Sequence, residues 1–449
     1  MDLKHVTKKV AGTPTTVTVL NTGAVITAED EAMLQALYSR SPKSIFDHLR
    51  QLSNVGSGKF MEQYYVGYGH KSIGDCGSTT LFIENISMLA AKAVQDTMLY
   101  SGQECSTRYI DFSTQPFINP LATKKGETLL AAMRKFYVES FPILCEHLKK
   151  QNPKKELENE NVYNKAIAAR AFDILRGFLP AGAATSVAWH TNLRQAADHV
   201  LRLRHHPLPE VRSMAETIEK ALGEAHPHSF GHKRYEGTES YLDATSEQYY
   251  SPGRARHPKI AKILNNGIDM KCLKDFKKLL KTRPGKTELP KYLAEAGTLT
   301  VGYQIDFGSY RDIQRQRSVF QRMPLISTAY GFHEWYMDQL PPALQTKGKK
   351  LLAQVEKFVA STKDIYQAQY YVPMGYRVPC TMTGDLAAFV YITELRASKH
   401  VHPTLQMVAN DIARLLEDNF GSAGLTLHIE PGTIGGFDTR RGKQDISKK

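Results

Sequence analysis

The sequence is short of the features that would make it a secreted scaffold, a zinc protein or a membrane protein. Five cysteines stand among 449 residues: Cys76, Cys105, Cys145, Cys272 and Cys380. An odd, scattered set makes no disulfide framework, and without a CxxC pair it offers no zinc site. A reduced, cytoplasmic compartment fits it best. The apolar runs are short; one of the longest, Ile86–Val94, carries Lys92. No stretch nears the ~20 residues that span a bilayer. The opening MDLKHVTKKVAGTPTT is basic but has no apolar core behind it, so we do not read it as a signal peptide. Nucleotide-binding signatures are also missing. No GxGxxG opens a βα unit, and in Gly56-Ser57-Gly58-Lys59-Phe60 the Phe stands where a phosphate loop needs Ser or Thr. His205-His206 has no companions at ligand spacing, and neither Cys76 nor Cys105 has a His-based pair nearby. No metal is expected.

What is present is a chain of ordinary apolar content, 42% hydrophobic and 9% aromatic, enough for real cores. At ~100–200 residues per domain its length suits two to four domains, or one large one. Lys and Arg number 58 against 45 Asp and Glu, a formal charge of +13. That excess points to anionic partners without separating nucleic acid from nucleotides.

Periodicity predicts helices over Glu29–Leu52, Ser87–Leu99, Glu127–Lys150, Ala166–Phe178, Leu193–Arg204 and Pro209–Leu222, with a β-rich run at Thr79–Ile86. From Gly223 to Ala255 the composition turns to His, Gly, Ser, Tyr and Pro without periodicity, which reads as a linker. The second half then repeats the order of the first. A β-rich run at Ala294–Phe307 precedes an Arg-rich segment. A long helical stretch, Pro342–Tyr371, and helices Asp385–Arg396 and Pro403–Phe420 follow. Pro180 precedes Arg204 by 24 residues, and Pro373 precedes Arg396 by 23. Such order and spacing argue for a duplicated domain. The expected organisation is an α/β (α+β) fold of two tandem domains, each a mixed or antiparallel sheet with flanking helices. The boundaries are 1–235, a linker and connecting helix at 236–285, 286–439, and a flexible tail at 440–449.

Two segments could carry chemistry. In Gln103-Glu104-Cys105-Ser106-Thr107-Arg108-Tyr109, extended backbone would put Glu104, Ser106 and Arg108 on one side. Arg and Ser there could hold a phosphate, with Glu104 accepting from a sugar or base, although a solvated Glu–Arg loop is the blander reading. Residues 311–322 hold four arginines and no lysine, interleaved with Ile313, Val319 and Phe320. Arginine suits planar anion recognition, and a partly buried arginine needs an anion or a carboxylate. An ion-pair network or an RNA-binding strip would use the same composition. Arg176, Arg194, Arg204 and Arg396 lie on or beside helices, where dipole compensation is the ordinary role.

These residues together resemble the flavin-dependent thymidylate synthase family (ThyX), and resemble it twice. Gly69-His70-Lys71-Ser72, Ser101-Gly102-Gln103-Glu104-Cys105-Ser106-Thr107-Arg108-Tyr109, Arg176-Gly177-Phe178-Leu179-Pro180, Asn192-Leu193-Arg194 and Leu203-Arg204 follow its pattern in the first half. The family's RHR is Asp96-Thr97-Met98 there, and its Glu-His is Asp75-Cys76. The second half does the reverse. It has Arg315-Gln316-Arg317 at RHR, Met323 to Thr328 where ExSxRY belongs, and Gln369 opposite Arg176.

The resemblance implies one composite pyrimidine-nucleotide site and one dead one. Glu104, Ser106, Thr107, Arg108, Arg176 and Arg311 would bind the nucleotide, and Arg396 and Arg315 would be catalytic. Arg315, Gln316, Arg317, Asn192, Arg194, Arg204 and Ser78 would hold FAD. The implied reaction is methylation of dUMP to dTMP with methylenetetrahydrofolate and NADPH, in a homodimer that mimics the family's tetramer. The alternatives are a paralogue acting on another pyrimidine nucleotide, a non-catalytic nucleic-acid-binding protein on the same fold, and a silent scaffold.

Overall fold

The computed structural model describes residues 5–20, 26–107, 110–251, 258–430 and 434–438. Arg108 and the tail at 440–449 therefore lie outside the described residues. Among the described residues the strands run β1 (His5–Lys9), β2 (Thr16–Leu20), β3 (Ser78–Ser87), β4 (Ser101–Glu104), β5 (Ala184–Asn192), β6 (Lys262–Asn266), β7 (Thr298–Asp306), β8 (Phe320–Arg322) and β9 (Arg377–Asp385). The helices used below are α1 (Ala28–Tyr38), α2 (Ile45–Val55), α3 (Met88–Gln95), α4 (Lys124–Gln151), α5 (Glu160–Leu175), α6 (Leu193–Arg204), α7 (Pro209–Ala225), α8 (Glu236–Tyr250), α9 (Phe307–Ile313), α10 (Pro342–Ser361), α11 (Leu386–Arg396) and α12 (Pro403–Phe420).

Two expectations are corrected. The stretch expected as one helix over Glu29–Leu52 is two, because Pro42 interrupts it and Ser44 caps a new start at Ile45. The helical stretch predicted to run to Tyr371 stops at Ser361, and Asp364 caps a short helix at Ile365–Ala368. Helix α8 lies within the stretch 236–285 expected as a linker and connecting helix. That helix has no apolar stripe; it is held by ion pairs and by its last two tyrosines, so periodicity could not reveal it.

The contacts divide the chain into two compact units. Unit 1 takes residues 1–107 and 184–250, and unit 2 takes 108–183 and 251–449. Unit 1 has a five-stranded antiparallel sheet in the order β1-β2-β3-β5-β4. Unit 2 has a four-stranded antiparallel sheet in the order β6-β7-β9-β8. Its central pair buries Val301, Tyr303, Cys380 and Met382 completely. These four share one face, while Thr298, Thr300 and Gln304 on the other face of β7 are exposed or half-buried, which is why β7 alternates in sequence.

The two sheets share a register. Ser87 pairs with Ala184 at the end of β3, and Asp306 pairs with Arg377 at the end of β7. A shift of 193 residues carries Ala184 to Arg377 and Asn192 to Asp385, so β5 maps onto β9 along its length. A shift of 219 carries Ser87, the N-cap of α3, onto Asp306, the N-cap of α9. One difference is a bulge in β3 between Ile83 and Ile86, where Asn85 takes φ 57°. β7 has no such break.

Within unit 2 the segments 177–182 and 370–375 exchange hydrogen bonds reciprocally. Ala181 N–H donates to the Val372 carbonyl (2.9 Å), and Met374 N–H donates to that of Leu179 (2.8 Å). Gly182 N–H donates to Tyr370 (2.9 Å), and Gly375 N–H donates to Gly177 (2.8 Å). Each pair is the other under the 193-residue shift, so a local two-fold axis passes through the Pro180–Pro373 bridge. Glycine is required at this approach. A Cβ on Gly182 would lie 2.8 Å from the Tyr370 carbonyl oxygen, and one on Gly375 would lie 2.9 Å from that of Gly177.

Candidate functional site

The site is built where β7 turns into α9. Asp306 ends the strand and caps the helix, accepting from Ser309 N–H at 2.8 Å. The same carboxylate oxygen accepts from the Tyr336 hydroxyl at 2.8 Å. Ser309 Oγ accepts from Arg176 Nη2 at 3.0 Å. Arg176 comes from the first half of the sequence but packs in unit 2, directly after α5, and is 7% exposed. Burial works to lower its pKa, but Tyr336, Asp173, Asp312 and Asp306 outweigh it and raise it. Its charge is fixed.

A cluster of guanidiniums continues from Arg176. Arg311 is buried on α9, Arg315 follows that helix, and Arg396 ends α11 with its Nη2 donating to the Asp312 carbonyl at 2.6 Å. Asp312 is the carboxylate these groups share. Burial pushes its pKa up, and the charges of Arg176, Arg315, Arg396 and Arg311 more than reverse this. Burial lowers the Arg396 pKa, opposed by Asp312. The buried Nε–H groups of Arg176 and Arg396 make no hydrogen bond among the described residues. A buried donor without an acceptor is costly, and here two charged ones lie around one crowded carboxylate. The arrangement suits an anion with several acceptor oxygens or a polar ring edge.

The counterpart in unit 1 is closed. The register maps Arg311 onto Lys92, Asp312 onto Ala93 and Arg315 onto Asp96. Lys92 and Asp96 pair with each other at 2.7 Å, their side chains only 4% and 10% exposed. The last turn of α8 lies over them. Tyr249 and Tyr250 donate to Asp96 at 3.1 and 3.4 Å, and their rings face the Lys92 ammonium at 5.6 and 5.0 Å. The Asn192 and Asp385 caps are also counterparts, so Arg396 falls opposite Leu203, and Arg204 opposite Ala397. That places the one-residue difference in spacing inside α6.

The remaining expected residues are placed as follows. Glu104 ends β4, is buried, and accepts from Gln95 Nε2 at 2.9 Å. The side-chain alternation does not continue past it: Ser106 is exposed and Thr107 buried. By register with β5 and β9, Glu104 lies opposite Met323 and Ser106 opposite Leu325. Asn192 is spent as the cap of α6, accepting from Gln195 N–H at 2.8 Å. Arg194 pairs with Asp75 at 2.8 Å, beside a cavity of about 120 Å³ that Trp189, His199 and Arg202 also line. Arg204 pairs with Glu219 and Glu239, both at 2.8 Å. Ser78 begins β3 and is exposed. In unit 2, Gln316 is buried, while Arg315 and Arg317 are exposed.

Sequence reasoning missed the residues under Arg176: Ser309, His402 and Thr404, with Asp306 and Asp173. The signals available were a capping pattern, Asp306-x-x-Ser309, and a His-Pro-Thr helix start, both of which read as ordinary termini. Among the described residues no cluster of His, Cys, Asp and Glu is placed to hold a metal ion. No described helix is long and apolar enough to cross a membrane.

Residues 24–228 match the Thy1 family model, thymidylate synthase complementing protein. A UPF0159 protein of Chlamydia muridarum is 24% identical over 417 residues, covering 79% of this chain and 78% of its own length. A UPF0159 protein of Thermoplasma acidophilum is 23% identical over 457 residues, covering 85% and 91%. Among solved structures, ThyX from Helicobacter pylori with FAD and dUMP is 18% identical, covers 45% of this chain and 93% of its own, and has a TM-score of 0.28. The UMP/dUMP methylase PolB from Streptomyces cacaoi bound with 5-Br UMP is 15% identical, covers 48% and 92%, and has a TM-score of 0.30. Residues 24–228, which include the Glu104–Thr107 segment and Arg176, thus match the model of the thymidylate synthase complementing protein family over a little under half of the chain, and the chain is ThyX-like.

Proposed function

We propose that the chain is a ThyX-type methyltransferase acting on a pyrimidine nucleoside monophosphate of the dUMP kind, with one working site per chain. The observation that carries this is the cluster of Arg176, Arg311, Arg315 and Arg396 around Asp312. It draws one arginine from the first sequence half and three from the second. The tandem duplication is part of the proposal. It is supported by the shared strand register, the reciprocal hydrogen bonds at Pro180–Pro373 and the recurring order of elements. The counterparts of the cluster are Gln369, Lys92, Asp96 and Leu203, none of them an arginine, so duplication left one site.

In this reading Arg176 and Arg311 bind the phosphate. Arg396, with an uncommitted Nε–H, stabilises negative charge that develops on the pyrimidine edge when C5 becomes nucleophilic. Its orientation is set by the bond to the Asp312 carbonyl. No protein nucleophile is needed.

FAD is the cofactor that the resemblance to ThyX implies. Arg315 and Arg317, exposed just beyond the end of α9, fit its anionic parts. Asn192 is spent as a helix cap, and Arg194 and Arg204 are engaged by four carboxylates, Asp75, Asp198, Glu219 and Glu239. FAD, when bound, supplies the hydride that reduces the one-carbon unit from methylenetetrahydrofolate, with NADPH as the source. Arg315 and Arg317 would hold it through its anionic parts.

The test is the purified protein itself. Flavin absorbance, and nucleotide-dependent release of tritium from C5 of dUMP, are expected. A colourless protein that binds RNA or DNA with steep salt dependence would favour the nucleic-acid reading that the +13 charge permits.

A further inference from the structure

We infer that Ser309, Thr404 and His402 are positioning residues for Arg176, forming a directional hydrogen-bond chain that fixes the guanidinium in the one working site. The inference rests on the proposed nucleotide site. His402 Nε2 faces the Asp173 carbonyl at 3.1 Å. A carbonyl only accepts, so Nε2 carries the proton and Nδ1 is an acceptor. Nδ1 lies 2.8 Å from Thr404 Oγ and 3.2 Å from Ser309 Oγ. The two hydroxyls are 2.8 Å apart. Ser309 Oγ accepts from Arg176, so its own proton points away from the arginine, toward His402 or Thr404. The Thr404 hydroxyl is placed to donate to His402 Nδ1 or to the Asp306 carboxylate, and Ser309 Oγ keeps an acceptor turned toward Arg176.

The chain closes on the element that bears the arginine. Asp173 lies one turn before Arg176 at the end of α5, so His402 grips the backbone under the guanidinium while Ser309 grips its tip. Ser309, Thr404 and His402 are 0%, 0% and 3% exposed, and burial holds the His402 pKa down to about 3. The imidazole therefore stays neutral and its Nδ1 stays an acceptor at working pH.

Unit 1 shows that packing alone does not require this chain. By register, Ser309 corresponds to Ala90, Thr404 to Glu210 and His402 to Leu208. There the two helix starts are joined differently: Glu210 accepts from Ser87 N–H at 2.8 Å and from Ser87 Oγ at 2.6 Å. The position matching Arg176 is Gln369, whose side chain serves the backbone at Ile326 and Tyr366. The hydroxyl–imidazole chain occurs where the arginine does.

The test uses the full chain and dUMP as the probe. Ser309→Ala and His402→Leu, the unit 1 counterparts, are expected to weaken dUMP binding about tenfold, the loss of one hydrogen bond to a charged group. His402→Asn, which keeps an acceptor near the Nδ1 position and keeps the helix cap, should restore most of the affinity. In an Arg176→Ala background Ser309→Ala should have no further effect on binding. Additive losses in that double variant, or equal loss for His402→Leu and His402→Asn, would overturn the inference. Should Ser309→Ala fail to fold, Thr404→Val, which removes only the hydroxyl, takes its place in the same cycle. If Arg176→Ala itself leaves dUMP binding intact, the nucleotide-site reading fails; if it weakens binding and the Ser309 variant does not, only the positioning role fails.

Discussion

Residues 87–96 and 306–315 each follow a strand of an antiparallel sheet and open on a helix cap, and they solve opposite problems. In unit 1 a lysine meets an aspartate one to one, two tyrosines cap the pair, and no charge is left over. In unit 2 Arg176, Arg311, Arg315 and Arg396 all act on Asp312, and among the described residues the buried Nε–H groups of Arg176 and Arg396 make no hydrogen bond. A satisfied buried pair is architecture, whereas a buried charged donor without an acceptor calls for a ligand.

The sharpest way to break the comparison is to remove one cation from each region. Lys92→Met leaves Asp96 buried without its partner and should cost about 3–5 kcal/mol of stability, read by urea unfolding, with dUMP affinity unchanged. Arg176→Ala should weaken dUMP binding by about 2–5 kcal/mol in calorimetry, roughly 30-fold or more. Equal effects of the two changes on binding would erase the distinction. Arg396→Lys keeps the charge but not the planar fork, so turnover should fall about tenfold while dUMP still binds.

Acid should unfold the protein for a nameable reason. Burial holds His402 to about 3, and His199, His226 and His333 to about 4, against an ordinary value near 6.5. Below pH ~6.5 the unfolded chain takes up protons that the folded chain refuses. The stability these groups contribute is present above that pH and is lost as pH falls toward 4. The thermal midpoint should drop over that window, and His402→Asn should lessen the drop. The smallest effect is expected at Arg194, whose pair with Asp75 is about one-third exposed; Arg194→Ala should cost under ~1 kcal/mol and leave dUMP binding alone.

Much of the fold was legible because helix and strand periods survive in both halves. The strands around Thr79–Ile86 and Ala294–Phe307 and the helices at Leu193, Pro209 and Pro403 were found within a few residues. The bounds of helix α8, within the connecting helix expected over 236–285, were not legible, because its supports are Arg204, His205 and Asp96, all distant in sequence. The network at Ser309 and His402 was not readable. A hydroxyl and a histidine at two helix starts look like caps until the fold brings Arg176 to them.

The account's central claim is one nucleotide site per chain, built on Arg176. Isothermal titration of dUMP into the full-length protein tests it directly. One dUMP should bind per chain, and roughly 30-fold or more weakly after Arg176→Ala; two per chain, or binding that survives Arg176→Ala undiminished, would contradict the single site.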